Sequence, residues 1–284
     1  SRHLMPQRVA ITHRTSYTFD RPVLASPHVV RLRPVASPWT AVVHHEQRIT
    51  PDEHVVHWKQ DPFGNHVARV SFLGPVHGIG IEVEVVADLA PRNPFDFLLD
   101  PAAGEYPFDY GDELAADLRP NLEVGDPGPR VAELLGQIDR SPQWTNDMVV
   151  GVGRTVAQAV RHEVRTEAGV LPPELTLERA SGSCRDSAWL LVHLLRHLGL
   201  AARFVSGYLV ELAPSGDITD LHAWADVYLP GAGWVGIDPT SGLLAAEGHI
   251  PLAVAPHPRG ATPVVGTTEP CQVELVHSNS VRRL

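Results

Sequence analysis

Three residues in the second half of the chain could together perform thiol chemistry. Cys184 follows a Ser-Gly-Ser turn and opens a strongly apolar segment, so its thiol belongs to the first turn of a predicted helix. Unpaired backbone N–H groups and the helix dipole favour negative charge there, and hence the nucleophilic thiolate. His222 and Asp238 follow on strand-like segments. A nucleophile, a base and a residue that orients the base are the minimum for thiol-dependent acyl transfer.

Three helices are predicted in the part of the chain that holds these residues. Residues 184–198 are apolar on almost every side and stop before Gly199, which indicates a buried central helix that holds the thiol rigidly. A short helix is predicted at 130–138. A longer helix is predicted at 146–165, with Thr145 as a possible N-cap. A stripe at i+4 spacing supports the longer helix and consists of Val152, Val156, Val160 and Val164.

A hairpin is predicted to carry the base and its partner. Residues 221–229 and 234–240 are strand-like and flank a Pro/Gly turn. A plain four-residue loop at 230–233 does not put His222 directly opposite Asp238. We therefore expect a bulge or a different loop, because bulges often re-aim active-site side chains.

The pattern of the whole chain predicts the α+β class. Residues 1–90 show the apolar and polar alternation of an antiparallel β-sandwich-like domain, as at 79–86. Prolines interrupt residues 91–129, which we interpret as an inter-domain linker. Residues 130–250 form the candidate catalytic core, and 251–284 form a C-terminal extension that could return as a strand.

Composition excludes several kinds of partner. The formal charge is −10, with 23 Lys and Arg against 33 Asp and Glu, so we expect no nucleic-acid partner. No apolar run approaches the roughly 18 residues of a membrane span, and residues 1–6 lack the apolar region of a signal peptide. Only two cysteines occur, so at most one disulfide can form. We therefore expect a cytoplasmic protein without a membrane partner.

Two other candidate groups carry weaker signals. His193 and His197 have the i, i+4 spacing of zinc ligands, but position 194 is not Glu and no third ligand is evident nearby. We predict no metal and no cofactor. Cys271 lies in a plausible final strand at 270–276 without a partner motif, and is interpreted as structural.

Four segments resemble the core of the bacterial transglutaminase-like superfamily. They are Gly-Ser-Cys-Arg-Asp at 182–186, Arg-Phe-Val-Ser-Gly-Tyr at 203–208, His-Ala-Trp at 222–224 and Gly-Trp-Val-Gly-Ile-Asp-Pro-Thr at 233–240. The β-rich stretch before them resembles the N-terminal β domain of many bacterial members. The resemblance implies a papain-like fold, with the Cys-bearing helix packed on an antiparallel sheet.

The resemblance also implies roles for the three candidates. Cys184 would be the nucleophile, His222 the base and Asp238 the residue that orients it. The sequences of residues 182–195 and of the tail at 248–252 most resemble the corresponding segments of large bacterial relatives. This resemblance implies that the chain is the N-terminal part of a larger bacterial protein.

The expected reaction is acyl transfer on a carboxamide of a peptide or protein substrate through a thioester. The Cys184 N–H is expected to contribute to the oxyanion hole, and the sequence does not identify a second donor. We favour hydrolysis of a peptide or amide; amine-dependent cross-linking by a protein transglutaminase uses the same residues and stays open. The rival from another class is a catalytically idle papain-like module used for binding, against which the intact Cys, His and Asp set weighs.

Overall fold

The computed structural model describes residues 5–284; the first four residues, which belong to the segment 1–6 considered above, lie outside it. The strands are β1 (Gln7–Val23), β2 (His28–Val30), β3 (Ala41–Thr50), β4 (His54–Gln60), β5 (His66–Phe72), β6 (Val76–Leu89), β7 (Glu105–Tyr106), β8 (Gln143–Trp144), β9 (Arg161–His162), β10 (Ser181–Gly182), β11 (Ala202–Glu211), β12 (Ile218–Leu229), β13 (Gly233–Asp238), β14 (Leu243–Leu244), β15 (His249–Ala255), β16 (Val264–Val265) and β17 (Val273–Arg283). The helices are α1 (Asp112–Asp117), α2 (Arg119–Leu122), α3 (Pro129–Gly136), α4 (Thr145–Ala159), α5 (Pro173–Arg179) and α6 (Cys184–His197), with short 3-10 helices at Pro101–Ala103 and Pro258–Gly260.

The first part of the chain forms two four-stranded sheets with the orders β17-β1-β6-β3 and β16-β2-β5-β4. Strand β6 shows why: Ile79, Ile81 and Val83 point into the core, whereas Glu82 between them is half-exposed. Strand β17 pairs antiparallel with β1 from Val273 to Arg283, so the end of the chain completes a sheet that its beginning starts. The predicted α+β class with antiparallel sheets is confirmed.

The second part is a five-stranded antiparallel sheet, β14-β13-β12-β11-β15, packed against α4 and α6. Helix α6 is buried along most of its length because apolar residues lie on nearly every side, including Leu190, Leu191 and Leu194. The predicted end of this helix is also found, since Gly199 follows it with a φ of 79°, in the region that favours glycine.

One hydrophobic cluster joins the two parts. Tyr208 and Val210 on β11 and Ile250 and Leu252 on β15 belong to the same buried cluster as the apolar residues of the sandwich. The sandwich therefore packs on the sheet that carries His222.

Helix α4 differs from its prediction at both ends. It stops at Ala159, six residues early, because β9 pairs in parallel with β10 and draws residues 161–162 out of the helix. Val164 is consequently 89% exposed and does not extend the buried stripe. Thr145 is the first helical residue and not the N-cap, and its hydroxyl donates to the carbonyl of Ala103.

The proline-rich stretch at 91–129 packs on the second part of the molecule. It contains β7, α1 and α2, and its Tyr106 is buried among residues of α4 and α6. The Tyr106 hydroxyl donates to the carbonyl of Leu198 at the end of α6, at 3.0 Å.

Strand β15 crosses residue 250, where we predicted the core to end. None of the helices within residues 5–284 combines the length and apolar character that a membrane crossing requires.

Candidate active site

The nucleophile candidate lies at the start of α6, which is fixed by a buried carboxylate. Ser183 is the N-cap residue and Cys184, half-buried, is the first residue of the helix. Asp186 accepts hydrogen bonds from the backbone N–H and the hydroxyl of Ser183, both at 2.9 Å, and from the N–H of Leu171 at 2.8 Å. The backbone N–H and the hydroxyl of Ser183 thus have an acceptor within the turn, and the position of Cys184 is set.

A buried ion pair completes this support. Arg165 donates from Nε and Nη2 to the two carboxylate oxygens of Asp186, at 3.0 and 3.1 Å, and its side chain is only 7% exposed. Burial opposes the charge of Asp186, but the hydrogen bonds from Arg165, Leu171 and Ser183 hold the pKa of this carboxyl below its usual value. The segment that contains Arg165 is thereby tied to the first turn of α6.

We predict that Asp186→Ala lowers the free energy of unfolding by about 3–5 kcal/mol, because it leaves the Arg165 guanidinium buried without its partner. Urea unfolding followed by circular dichroism measures this. The control is Glu178→Ala, which removes an exposed partner of Arg130 at 3.7 Å and should cost less than about 1 kcal/mol. Equal small losses in both variants would contradict the assigned role of the pair.

The imidazole of His222 lies between Cys184 and Asp238. Its Nε2–H donates to Oδ2 of Asp238 at 2.8 Å, and Cys184 lies near enough to the ring to help raise the pKa of His222. The second carboxylate oxygen of Asp238 accepts from the N–H of Thr240 at 3.0 Å. The structure therefore brings the three predicted residues together at one site.

Electrostatic interactions stabilise the charged forms of His222 and Asp238 despite their burial. The side chains of His222 and Asp238 are 12% and 4% exposed. Burial disfavours the imidazolium, but the hydrogen bond to Asp238 and the charges of Asp238 and Cys184 outweigh it and raise the pKa of His222 to about 10. Burial likewise opposes the Asp238 carboxylate, yet hydrogen bonds from two histidines hold its pKa well below the usual range. An imidazolium beside a thiol favours the thiolate.

The hairpin reaches this geometry through a different loop, the second of the two expected alternatives, and without a bulge. Strands β12 and β13 pair in one continuous register from Leu229 opposite Gly233 to Ala225 opposite Ile237, around a three-residue loop. Continued by one residue, this register puts Trp224 opposite Asp238. The prediction of direct opposition was wrong: His222 meets the carboxylate on the diagonal, which long side chains can span.

Glycines of the motif segments make room for Trp224 beside the site. A Cβ on Gly207 would strike the Trp224 ring and the carbonyl oxygen of Ile250. A Cβ on Gly236 would lie 3.3 Å from the Trp224 Nε1 and closer still to Ala245. The indole thus lies across strands that only glycine lets it approach, on the same face as His222.

A second histidine belongs to the site and was missed from the sequence. His249 Nε2 lies 2.8 Å from the same Asp238 oxygen that His222 contacts. His249 begins β15, which is separated from β13 by two strands of the sheet, so no spacing or pairing pattern pointed to it. The tail at 248–252, interpreted above only as part of the resemblance, contains this histidine.

The group of His222, Asp238 and His249 was tested as a metal site, since its ligand atoms lie within 4.8 Å of one another. The backbone N–H of Ala246 donates to Nδ1 of His249 at 3.2 Å. A metal on Nε2 of a neutral imidazole would require a proton on Nδ1, where it would oppose that N–H. The hydrogen bonding therefore fits a proton-bearing ring and not a metal ligand. We name no metal at this group.

The other candidates lie elsewhere. His193 packs against the Trp189 ring, with centroids 4.5 Å apart, and burial lowers its pKa to about 4. Within residues 5–284, neither His193 nor His197 joins a group of three metal-binding side chains. Cys271 precedes β17, so the predicted final strand begins two residues later than this cysteine; its sulfur lies 3.5 Å from the Thr268 hydroxyl.

Sequence comparison matches two segments of the chain to known families. Residues 9–88 match the bacterial transglutaminase-like N-terminal region, and residues 134–239 match the transglutaminase-like superfamily. The second match contains Cys184, His222 and Asp238.

Two relatives and one solved structure are similar to the chain. An uncharacterized protein of Mycobacterium tuberculosis is 27% identical over 265 residues, which are 86% of this chain and 82% of the relative. A protein-glutamine gamma-glutamyltransferase of Pseudomonas aeruginosa is 36% identical over 73 residues, or 24% of this chain and 11% of the relative. A crystal structure of a candidate cysteine protease from Cytophaga hutchinsonii has a TM-score of 0.66 and 16% identity, and covers 96% of this chain and 91% of its own. At this identity the likeness shows the fold alone.

Proposed function

We propose that Cys184 hydrolyses a carboxamide of a peptide or another amide. The chain belongs to the transglutaminase-like superfamily, and this supports a cysteine-dependent acyl-transfer or protease-like function in general. The observation that carries this proposal is the hydrogen bond of 2.8 Å between His222 and Asp238, on a ring whose pKa is raised by Asp238 and by the nearby Cys184. This is the relation of nucleophile, base and orienting residue that thiol acyl transfer needs.

In the first half-reaction the Cys184 thiolate attacks the carbonyl carbon of the carboxamide and forms a tetrahedral adduct. The carbon–nitrogen bond then breaks, and the His222 imidazolium gives its Nδ1 proton to the leaving nitrogen. The products are a thioester on Cys184 and a free amine. Asp238 keeps the Nε2 proton of His222 in place throughout, so that Nδ1 faces the sulfur.

In the second half-reaction water replaces the amine. His222 takes a proton from the water, its oxygen attacks the thioester carbon, and the carbon–sulfur bond breaks. The acid leaves, and thiolate and imidazolium are restored. The backbone N–H of Cys184, at the positive end of α6, is the oxyanion donor that we assign.

Transamidation is the second candidate, and one relative favours it. The same thioester would react with a primary amine in place of water. The support is the match over 73 residues to the P. aeruginosa protein-glutamine gamma-glutamyltransferase. We favour hydrolysis because water needs no binding site of its own, whereas an amine acceptor does. An idle papain-like binding module would use the fold without either reaction.

We predict turnover that depends on Cys184. The protein, its Cys184→Ala variant and a Cys271→Ala control are incubated with a peptide library and with a fluorescent primary amine. Mass spectrometry then detects new peptide termini, deamidated side chains and incorporated amine. We expect hydrolysis products from the wild type and the Cys271→Ala control, and none from Cys184→Ala. Products that persist in Cys184→Ala, or none from the wild type, would contradict the proposal; amine incorporation in excess of hydrolysis would favour transamidation.

A further inference from the structure

A second imidazole shares the carboxylate that orients the proposed base. His249 Nε2 and His222 Nε2 both lie 2.8 Å from Oδ2 of Asp238. Both histidine side chains are 12% exposed, so bulk water does not replace either contact readily. An ionised carboxylate can only accept, and therefore both rings must donate an N–H to this oxygen.

Backbone chemistry fixes which nitrogen of His249 carries the proton. The N–H of Ala246 donates to Nδ1 at 3.2 Å, so Nδ1 is an acceptor and the proton of the neutral ring is on Nε2. Protonation of Nδ1 would set two donors against each other. His249 is thus held as an N–H donor toward Asp238, whatever the state of His222.

Packing fixes the orientation of the same ring. The Trp224 indole meets the His249 imidazole nearly edge-on, with centroids 5.0 Å apart and an interplanar angle of 83°. The outer side of His249 lines a cavity of about 320 Å³ that Arg92 also lines. The charged and titratable groups around this ring are Asp238 and His222 within the site, and Arg92, Arg203 and Asp226 along the cavity.

We infer that His249 is a positioning residue of the thiol site, acting through Asp238; this inference rests on the proposed function. Its N–H and that of Thr240 hold the two oxygens of the Asp238 carboxylate from opposite ends. The carboxylate therefore keeps the one rotation in which Oδ2 faces His222. Without His249 the carboxylate gains freedom to turn away, and the imidazole loses its fixed direction toward Cys184.

The test compares two substitutions that differ in one donor. His249→Gln places an amide N–H near the former Nε2, whereas His249→Leu offers none. We expect His249→Leu to slow alkylation of Cys184 by iodoacetamide at pH 7 by about 10-fold or more, and to lower kcat on a cleaved peptide with little change in KM. His249→Gln should stay within about threefold of the wild type in both measurements.

The control is His13→Leu, which removes a buried histidine hydrogen-bonded to Asn279 and Thr15 in the sandwich. It should lower stability to urea without slowing alkylation of Cys184. Alkylation needs no substrate, so it tests His249 even if the wild type shows no turnover and the proposed function fails. Folded Leu and Gln variants that alkylate alike, or a Leu variant as fast as the wild type, would overturn the inference.

Discussion

Replacing Asp238 with asparagine will lower turnover by about a thousand-fold or more while the protein stays folded. The carboxylate accepts at both ends, from Thr240 at one oxygen and from His222 and His249 at the other. An asparagine side chain has one acceptor oxygen and one NH2 group, so at one end two donors must meet. When the NH2 faces the histidines, His222 has to take the other tautomer and present an N–H to the thiol, which removes the base.

The measurement is kcat/KM for a cleaved peptide, with urea unfolding to verify the fold. Asp226→Asn is the matched control. Asp226 is a buried carboxylate on β12, the strand that carries His222, and it forms an ion pair with Arg203 at 2.9 Å. It touches none of the three candidates. It should retain activity to within a few-fold. An Asp238→Asn enzyme within tenfold of the wild type would show that Asp238 does not orient the base.

The second large effect concerns the pH dependence of thiol reactivity. The pKa of His222 is raised to about 10, so as pH rises from neutral the ring keeps its proton until about pH 10. The imidazolium therefore supports the Cys184 thiolate across this range, and the wild-type alkylation rate should change little between pH 7 and 9. In His222→Ala this support is absent, and only a few per cent of an ordinary thiol is ionised at pH 7.

We therefore expect His222→Ala to alkylate about 10-fold or more slowly at pH 7, and its rate to climb with pH as that of an ordinary thiol does. Rates with iodoacetamide from pH 6 to 10 measure this. His193→Ala is the control, since His193 lies on α6 against Trp189 and outside the chain of hydrogen bonds. A flat profile in His222→Ala would mean that the helix end alone sets the reactivity of Cys184.

Local patterns predicted the elements that are determined locally. The start of α6 at Cys184 and its end before Gly199 follow from a turn, an apolar run and a left-handed glycine, all of which are adjacent in sequence. The strands of the sandwich follow from alternation. The end of α4 could not be predicted this way, because the pairing of β9 with β10 depends on a segment about twenty residues away.

The finer geometry of the site depends on the sheet as a whole. His222 reaches Asp238 along a diagonal because the loop has three residues, a difference of one from the plain hairpin that we assumed. His249 arrives from the far side of the sheet on β15. Neither relation is encoded in a spacing, since both arise only when strands separated in sequence have paired.

Several expectations stay predictions. The catalytic roles of the three residues, the peptide substrate, the domain boundaries and a cytoplasmic location are expected from the sequence and are not tested by the structure. The same holds for the expectation that the chain is part of a larger bacterial protein. None of them alters the geometry around Cys184.

The most direct test of the account labels the two cysteines of the folded wild type in competition. Brief treatment with iodoacetamide at pH 7, followed by peptide mass spectrometry, gives the ratio of alkylation at Cys184 and Cys271. We expect Cys184 to react about ten times faster or more, because it lies at a helix N-terminus beside an imidazolium, and the ratio to approach one after unfolding in urea. Equal and slow labelling of both cysteines in the folded protein would contradict an activated thiol at Cys184.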